Sequence, residues 1–359
     1  MRSSQKMIPI AIAAGAMVQG CINPAPVEPT VEAAEVVTAV ATDQQVAAKP
    51  ATAPEALVQP TPVSLESNAV LIDPVNDDGA EQGTLSDLPE EKSNGAGVDL
   101  QNKGFILSGT YSQAGMLFGQ TIPGAIVRLD NSKIMVDDGG RFVLGFGRDS
   151  ALSAQLQVTL PDGTIKTETI ELADKSFPEQ RIDGLDQSKV SGFTEAQLVK
   201  IRADQALFKA ARSQTQSGAD WVDGFDWPVT GRISGVFGSR RILNGEPKRP
   251  HSGVDVARPT GTPIIAPAGG VVTLAEPDMY FGGGTVLLDH GHWIESAFLH
   301  MSKLDVEVGE RVEKGQIIGE VGATGRVTGP HLHWSVRWLA LNRLVDPQLL
   351  AGDMPTQSE

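Results

Sequence analysis

Cysteine is almost missing from this 359-residue chain. The single one, Cys21, excludes an intrachain disulfide framework and a cysteine-built zinc cluster. Aromatic residues are scarce at 5%, and residues 22–100 contain no Phe, Trp or Tyr at all. The same stretch holds 9 of the 23 prolines and most of the formal net charge of -15. Such a composition cannot bury enough apolar area to offset chain entropy, so residues 22–101 are expected to form a disordered, acidic tether. A random coil of about 80 residues reaches roughly 50 Å. The acidity argues against a nucleic-acid partner, although it describes this solvated tract more than a folded surface. No His-Glu-x-x-His helix is present, which argues against a helix-borne glutamate base. Histidine is absent until position 251: all six lie between His251 and His333, and all five Trp between Trp221 and Trp338. The chemistry is therefore expected near the C-terminal end.

Long apolar runs are also lacking. The one candidate, Met7–Val18, is too short to span a bilayer, follows the basic Arg2 and Lys6, and ends at Val18-Gln19-Gly20-Cys21. Residues 1–21 read as an export signal. The placement of Cys21 resembles the lipobox of bacterial lipoproteins, in which that cysteine is acylated and becomes the mature N-terminus. Ile22 stands where inner-membrane retention would place Asp, so the resemblance implies an outer-membrane lipid anchor through Cys21, facing the periplasm. The other reading is a general signal cut after Ala14-Gly15-Ala16, which leaves a soluble periplasmic or secreted protein.

From Phe105 onward, short alternating runs are broken by turns: Phe105–Leu107, Ala125–Leu129, Lys133–Val136, Phe142–Phe146, Gln155–Leu160 and Thr164–Leu172. Asp137-Asp138-Gly139-Gly140 and Pro161-Asp162-Gly163 supply turn chemistry, and about six strands here predict a small antiparallel β-sandwich over 102–186. Asp137 and Asp138 read as turn initiators in preference to calcium ligands. Within a helical linker over 187–224, Thr194 and Gln197 form a capping box, and Leu198, Ile201 and Phe208 recur at helical spacing through Arg212. That stripe covers barely two heptads, so it is expected to dock on a neighbouring domain. Residues 225–350 return to glycine-punctuated strands as a terminal β domain, and 351–359 are expected to be a disordered tail. The fold class is mainly β.

Within the terminal region His251-Ser252-Gly253-Val254-Asp255 sets an imidazole and a carboxylate four apart. Pro250, Gly253 and Pro259 disfavour a helix, and in a strand positions 251, 253 and 255 share a face. His331-Leu332-His333 enters an apolar strand, where alternation points both imidazoles to one face about 6.6 Å apart. Together the two segments offer N, O and N donors. Three such protein ligands with an open fourth position are the composition of a catalytic zinc site. Spacing alone leaves open whether His331 or His333 is the ligand. His290-Gly291-His292 is a second pair, read as turn or supporting residues because Gly291 interrupts the strand.

Several further segments carry a resemblance: Gly238-Ser239-Arg240, Ala266-Pro267-Ala268-Gly269-Gly270-Val271-Val272, Phe298-Leu299-His300, Val308 through Gly319, and Gly322-Ala323-Thr324-Gly325 through Gly329-Pro330-His331-Leu332-His333-Trp334. With His251-x-Gly253-x-Asp255 they resemble the motif series of the M23 (lysostaphin or LytM) peptidases over 225–350. The resemblance implies a LytM-type antiparallel, barrel-sandwich-hybrid-like domain. It further implies one Zn²⁺ per chain held by His251, Asp255 and His333, with His300 and His331 assisting catalysis and Arg240 meeting substrate. Phe298 stands where many members have Tyr. The activity implied is zinc-dependent hydrolysis of peptide cross-links in peptidoglycan, with a D-Ala to diaminopimelate bond as first choice. The alternatives are a non-catalytic LytM-type activator of cell-wall amidases and, from the texture of Val306–Val321, a biotinyl or lipoyl carrier. Lys303 and Lys314 lack the usual carrier setting. Oligomeric state and the role of the sandwich are not legible.

Overall fold

A computed structural model of the chain describes residues 100, 102–183, 193–213 and 218–355. The expected export signal, Cys21 and nearly all of the expected tether lie outside these residues. No helix among the described residues is long and apolar enough to cross a membrane.

The first described region contains strands β1 (Phe105–Gly109), β2 (Met116–Thr121), β3 (Ile126–Leu129), β4 (Ser132–Ile134), β5 (Arg141–Gly145), β6 (Ser153–Thr159) and β7 (Ile165–Glu171). They pair antiparallel into two sheets, β1-β2-β5 and β4-β3-β6-β7. Alternation along β3 and β6 turns Val127, Leu129, Leu156 and Val158 inward, as a half-buried sheet requires. Asp137 does initiate a turn: its carboxylate accepts from the backbone N–H of Arg141 at 2.8 Å and from that residue's Nε at 2.6 Å. Strand β2 was not anticipated.

The next strand, β8 (Glu179–Ile182), departs from the expected 102–186 boundary. It pairs in parallel with β10 (Arg240–Leu243), which forms a hairpin with β11 (Glu246–Pro247). The last strand of the expected sandwich segment thus belongs to a sheet of the terminal region. Helix α1 (Glu195–Ala211) begins at the predicted capping box, with Thr194 and Gln197 each accepting from the other's backbone N–H.

The principal sheet of the terminal region has the order β18-β14-β15-β16-β20-β12-β9, with β21 added beside β20. Its strands are β9 (Arg232–Gly235), β12 (Val254–Ala257), β14 (Gly270–Met279), β15 (Gly283–Asp289), β16 (Ile294–Met301), β18 (Arg311–Val312), β20 (His331–Trp338) and β21 (Arg343–Val345). A smaller sheet is built from β13 (Pro263–Ile265), β19 (Ile317–Glu320) and β17 (Lys303–Leu304). Strands β15 and β16 are buried along their whole length because both faces are covered. On one face Leu274, Met279, Leu287, Ala297 and Leu299 meet Phe208 and Ala211 of α1, so the helical stripe docks as expected. On the other, Val286, Phe298, Trp334 and Trp338 join a core that runs continuously into the sandwich.

The tail expected to be disordered from residue 351 is ordered through 355. Helix α2 (Pro347–Ala351) includes residue 351, Gly352 O accepts from the Trp227 indole at 3.0 Å, and Met354 packs against the core. Tertiary contacts with Trp227 order a segment whose own sequence is too short and polar to predict it.

Candidate metal centre

Strand register assembles the centre. Gly235 on β9 lies opposite Asp255 on β12, Asp255 opposite His333 on β20, and His333 opposite Leu299 on β16, the neighbour of His300. Directly opposed residues share a face, so register alone brings the Asp255 carboxylate and the His333 imidazole together. The His-x-His alternation places His331 opposite Ala257 on the same strand pair. His251 lies just before β12, and its loop can approach β20 closely because Gly253 has no side chain: a Cβ there would press into the backbone of Trp334.

The donor atoms converge. His333 Nδ1 lies 2.8 Å from Asp255 Oδ1, His251 Nε2 lies 3.2 Å from the same oxygen, and the two imidazole nitrogens are 3.1 Å apart. All three ligand atoms fall within 4.8 Å of one another. His331 Nε2 is farther, 3.8 Å from Asp255 Oδ1. Between the two histidines that spacing left open, His333 is therefore the one inside the cluster. Asp255 and His333 are each 1% exposed.

His300 stands beside the cluster, its ring centroid 4.9 Å from that of His331 and 6.2 Å from that of His333. Its φ of 66° lies in the left-handed region, which non-glycine residues seldom occupy. The β15–β16 register shifts between Gly284 and Val286, opposite this segment, and bulges commonly re-aim a side chain beside an active site. The conformation is held by His300 N–H donating to Gly282 O at 2.7 Å and His300 Nδ1 donating to Thr324 O at 3.0 Å.

Electrostatics favour a cation at the cluster. Burial works against ionised Asp255, but the imidazoles of His251 and His333 outweigh it and hold the carboxyl well below the usual range. Burial likewise works against a charged His251, yet the Asp255 carboxylate and the Val236 carbonyl raise its pKa. Burial lowers that of His333 despite Asp255. Burial, reinforced by His333 and His331, brings that of His300 down to about 3, so it is a neutral base near pH 7. Asp255 Oδ2, buried against Gly235, has no hydrogen-bond donor among the described residues. A buried, ionised oxygen without a donor, beside two imidazoles, is a donor set that fits a divalent metal ion.

Arg240 sits at the edge of the region, since His251 N–H donates to Ser239 O at 2.8 Å. Its guanidinium is engaged by Glu179 of β8, with Nε 2.9 Å from Oε1. His290 and His292 are buried but outside the cluster. His290 bonds Gly269 O and Ser296 Oγ, and His292 faces Gly218 O and Arg141 O. Sequence reasoning missed Gly235, Ser252 and Thr324. Gly235 is the last residue of β9, where a glycine hints at close backbone approach; Ser252 and Thr324 lie within the motif segments of the sequence, but no local rule points to their partners.

A sequence profile of peptidase family M23 matches residues 249–347. Similar proteins include the peptidoglycan DD-endopeptidase ShyA of Vibrio cholerae, 37% identical over 179 residues, which cover 46% of this chain and 41% of ShyA. Another is the peptidoglycan DD-endopeptidase ShyC of the same organism, 43% identical over 105 residues, covering 29% of this chain and 24% of ShyC. The chain thus spans well under half the length of either. A solved Pseudomonas aeruginosa chain assigned to peptidase M23 is 30% identical and superposes with a TM-score of 0.52, covering 68% of this chain and 96% of that one.

Proposed function

The chain belongs to peptidase family M23, and from that premise we propose that it is a zinc-dependent endopeptidase that hydrolyses peptide cross-links of peptidoglycan, the D-Ala to diaminopimelate bond in particular. One Zn²⁺ is held by His251, Asp255 and His333. When bound, the ion supplies Lewis acidity toward a scissile carbonyl and a water of lowered pKa. His300 and His331 are the catalytic residues. His300 is neutral near pH 7 and its Nδ1 donates to Thr324 O, so its Nε2 can accept a proton. The Nδ1 of His331 donates to Gly329 O at 2.9 Å, which leaves its Nε2 free for the same exchange with attacking water or leaving amine.

The observation that carries this reading is the convergence of two imidazole nitrogens on a buried carboxylate whose second oxygen has no hydrogen-bond donor among the described residues. Names of relatives support peptidoglycan as the substrate class and hence a place outside the cytoplasm. The signal-like residues 1–21 and the lipobox resemblance at Cys21 support export and an outer-membrane anchor, the alternative being a soluble periplasmic or secreted protein. Residues 225–350 act as the peptidase domain.

The decisive experiment digests purified cross-linked sacculi with the wild-type protein and with His333→Ala, identifies new peptide ends by mass spectrometry, and measures zinc by elemental analysis. One zinc per chain and new D-Ala ends are expected from the wild type only. A wild type with neither zinc nor new ends would point instead to the amidase-activator reading.

A further inference from the structure

Four imidazoles form or border the cluster, and each presents a lone pair only if its other ring nitrogen carries the proton. Three are fixed in the same way. His251 Nδ1 lies 3.1 Å from Val236 O, His331 Nδ1 2.9 Å from Gly329 O, and His300 Nδ1 3.0 Å from Thr324 O. A carbonyl oxygen only accepts, so each Nδ1 is the donor and each Nε2 offers its lone pair. Backbone carbonyls set these tautomers, and no side-chain substitution removes a carbonyl.

His333 is reversed. Its Nδ1 faces the cluster, 2.8 Å from Asp255 Oδ1 and 3.1 Å from His251 Nε2, so Nε2 must carry the proton if Nδ1 is to be a ligand. The group facing Nε2 is a side chain, the hydroxyl of Ser252 at 3.2 Å. With the imidazole 1% exposed, solvent is poorly placed to substitute for that hydroxyl.

We propose that Ser252 is the positioning residue of the metal centre: its Oγ accepts the Nε2–H of His333, which fixes the tautomer and ring orientation that turn Nδ1 toward the ion. The inference rests on the metal reading above. Ser252 follows His251 directly, and Gly253 lets this loop lie close against β20. One loop therefore supplies a ligand and anchors another ligand 82 residues further along the chain. Outer partners of this kind typically change metal affinity by about 10–100-fold.

The test compares the full-length wild type with Ser252→Ala and Ser252→Thr. Zinc affinity is read by competition with a chromophoric chelator, and the His333 tautomer by long-range ¹H–¹⁵N NMR of the zinc-loaded proteins. Ser252→Ala is expected to bind zinc about 10–100-fold more weakly and to lose exchange protection of the His333 Nε2–H. Ser252→Thr, which keeps the hydroxyl, is expected to restore most of both. Thermal melts verify folding, and where alanine unfolds the chain Ser252→Gly is read in its place. Wild-type zinc affinity with an unchanged His333 proton signal in the hydroxyl-free variant would overturn the proposal. A wild type that takes up no zinc would overturn the metal reading itself, and this inference with it.

Discussion

The turn at Asp289–Trp293 and the cluster at the β12–β20 pair both bury histidines, yet they treat them oppositely. At the turn every imidazole nitrogen faces its own partner. Trp334 Nε1 donates to Ser296 Oγ at 3.3 Å, Ser296 Oγ meets His290 Nε2 at 2.8 Å, and His290 Nδ1 donates to Gly269 O at 2.6 Å. At the cluster, two imidazole nitrogens face each other and one carboxylate oxygen, while the second oxygen has no donor among the described residues. Satisfied polar groups hold a fold together, and underused ones mark where something else binds. Burial does not separate the two sets, since His290 is 0% and His333 1% exposed.

The sharpest way to break this contrast is to remove one histidine from each set. His333→Ala should abolish zinc uptake and lower peptide hydrolysis by more than about 100-fold, exceeding the usual effect of an outer partner. The sandwich should still fold, as monitored by circular dichroism. His290→Ala should do the reverse. It leaves a cavity and takes the His290 partner from both Gly269 O and Ser296 Oγ, which lowers stability by about 2–4 kcal/mol in denaturant titration while zinc stoichiometry stays at wild type. A His290 variant that lost zinc without losing stability would erase the distinction.

A narrower break is Gly235→Ala. The added Cβ would lie 2.9 Å from Asp255 Cγ and 3.1 Å from His251 Cε1, pressing into the carboxylate oxygen that lacks a donor. Its φ does not lie in the left-handed range, so the effect should arise from the side chain alone. Zinc affinity should fall by about 10–100-fold with little change in melting temperature, because the clash is confined to Asp255 and His251. Unchanged affinity in chelator competition would mean that Asp255 Oδ2 is not where the cation sits.

How much of this contrast was readable beforehand depends on the range of the interaction. The His-x-His alternation of β20 and the Thr194–Gln197 capping box were legible, because period two and an N-cap are local rules. Strand β8, with the sequence Glu-Gln-Arg-Ile, was not, because its pairing with Arg240–Leu243 is tertiary and its polar edge carries no alternation. Strand β2 was missed because Met-Leu-Phe-Gly-Gln-Thr opens on consecutive apolar residues and is interrupted by Gly119. In the centre, the residue types of His251, Asp255 and His333 were evident. The left-handed φ of His300 and the reach of Ser252 to His333 appear only once the strands are in register.

Acid tests the histidine of the turn more gently. Burial pushes His290 down to about 4 from an ordinary 6.5, with the Gly269 carbonyl only partly offsetting it. Between those values the unfolded chain takes up a proton that the folded chain refuses. Its contribution is therefore complete above pH 6.5 and is lost as pH falls toward 4, by about 3 kcal/mol in all. Denaturant midpoints of the wild type should decline over that window. The slope should be shallower in His290→Gln, which has no such proton to refuse, and equal slopes would show that His290 is protonated in place.

The smallest effect is expected at Arg240, which sits on the boundary of the contrast: it borders the centre but is already satisfied by Glu179 of β8. Both side chains are partly exposed, at 31% and 41%, so solvent screens the pair and Glu179→Gln should change stability by no more than about 1 kcal/mol. If Arg240 meets a carboxylate of the peptide stem, it does so by exchanging Glu179 for the substrate. Releasing it in advance then removes a competitor: Glu179→Gln lowers KM, Arg240→Gln raises it, and kcat stays the same in both, the signature of uniform binding. A KM that moves in neither variant would assign the pair to fastening β8 against β10, and Arg240 would then join His290 and His292 among the groups that hold the fold.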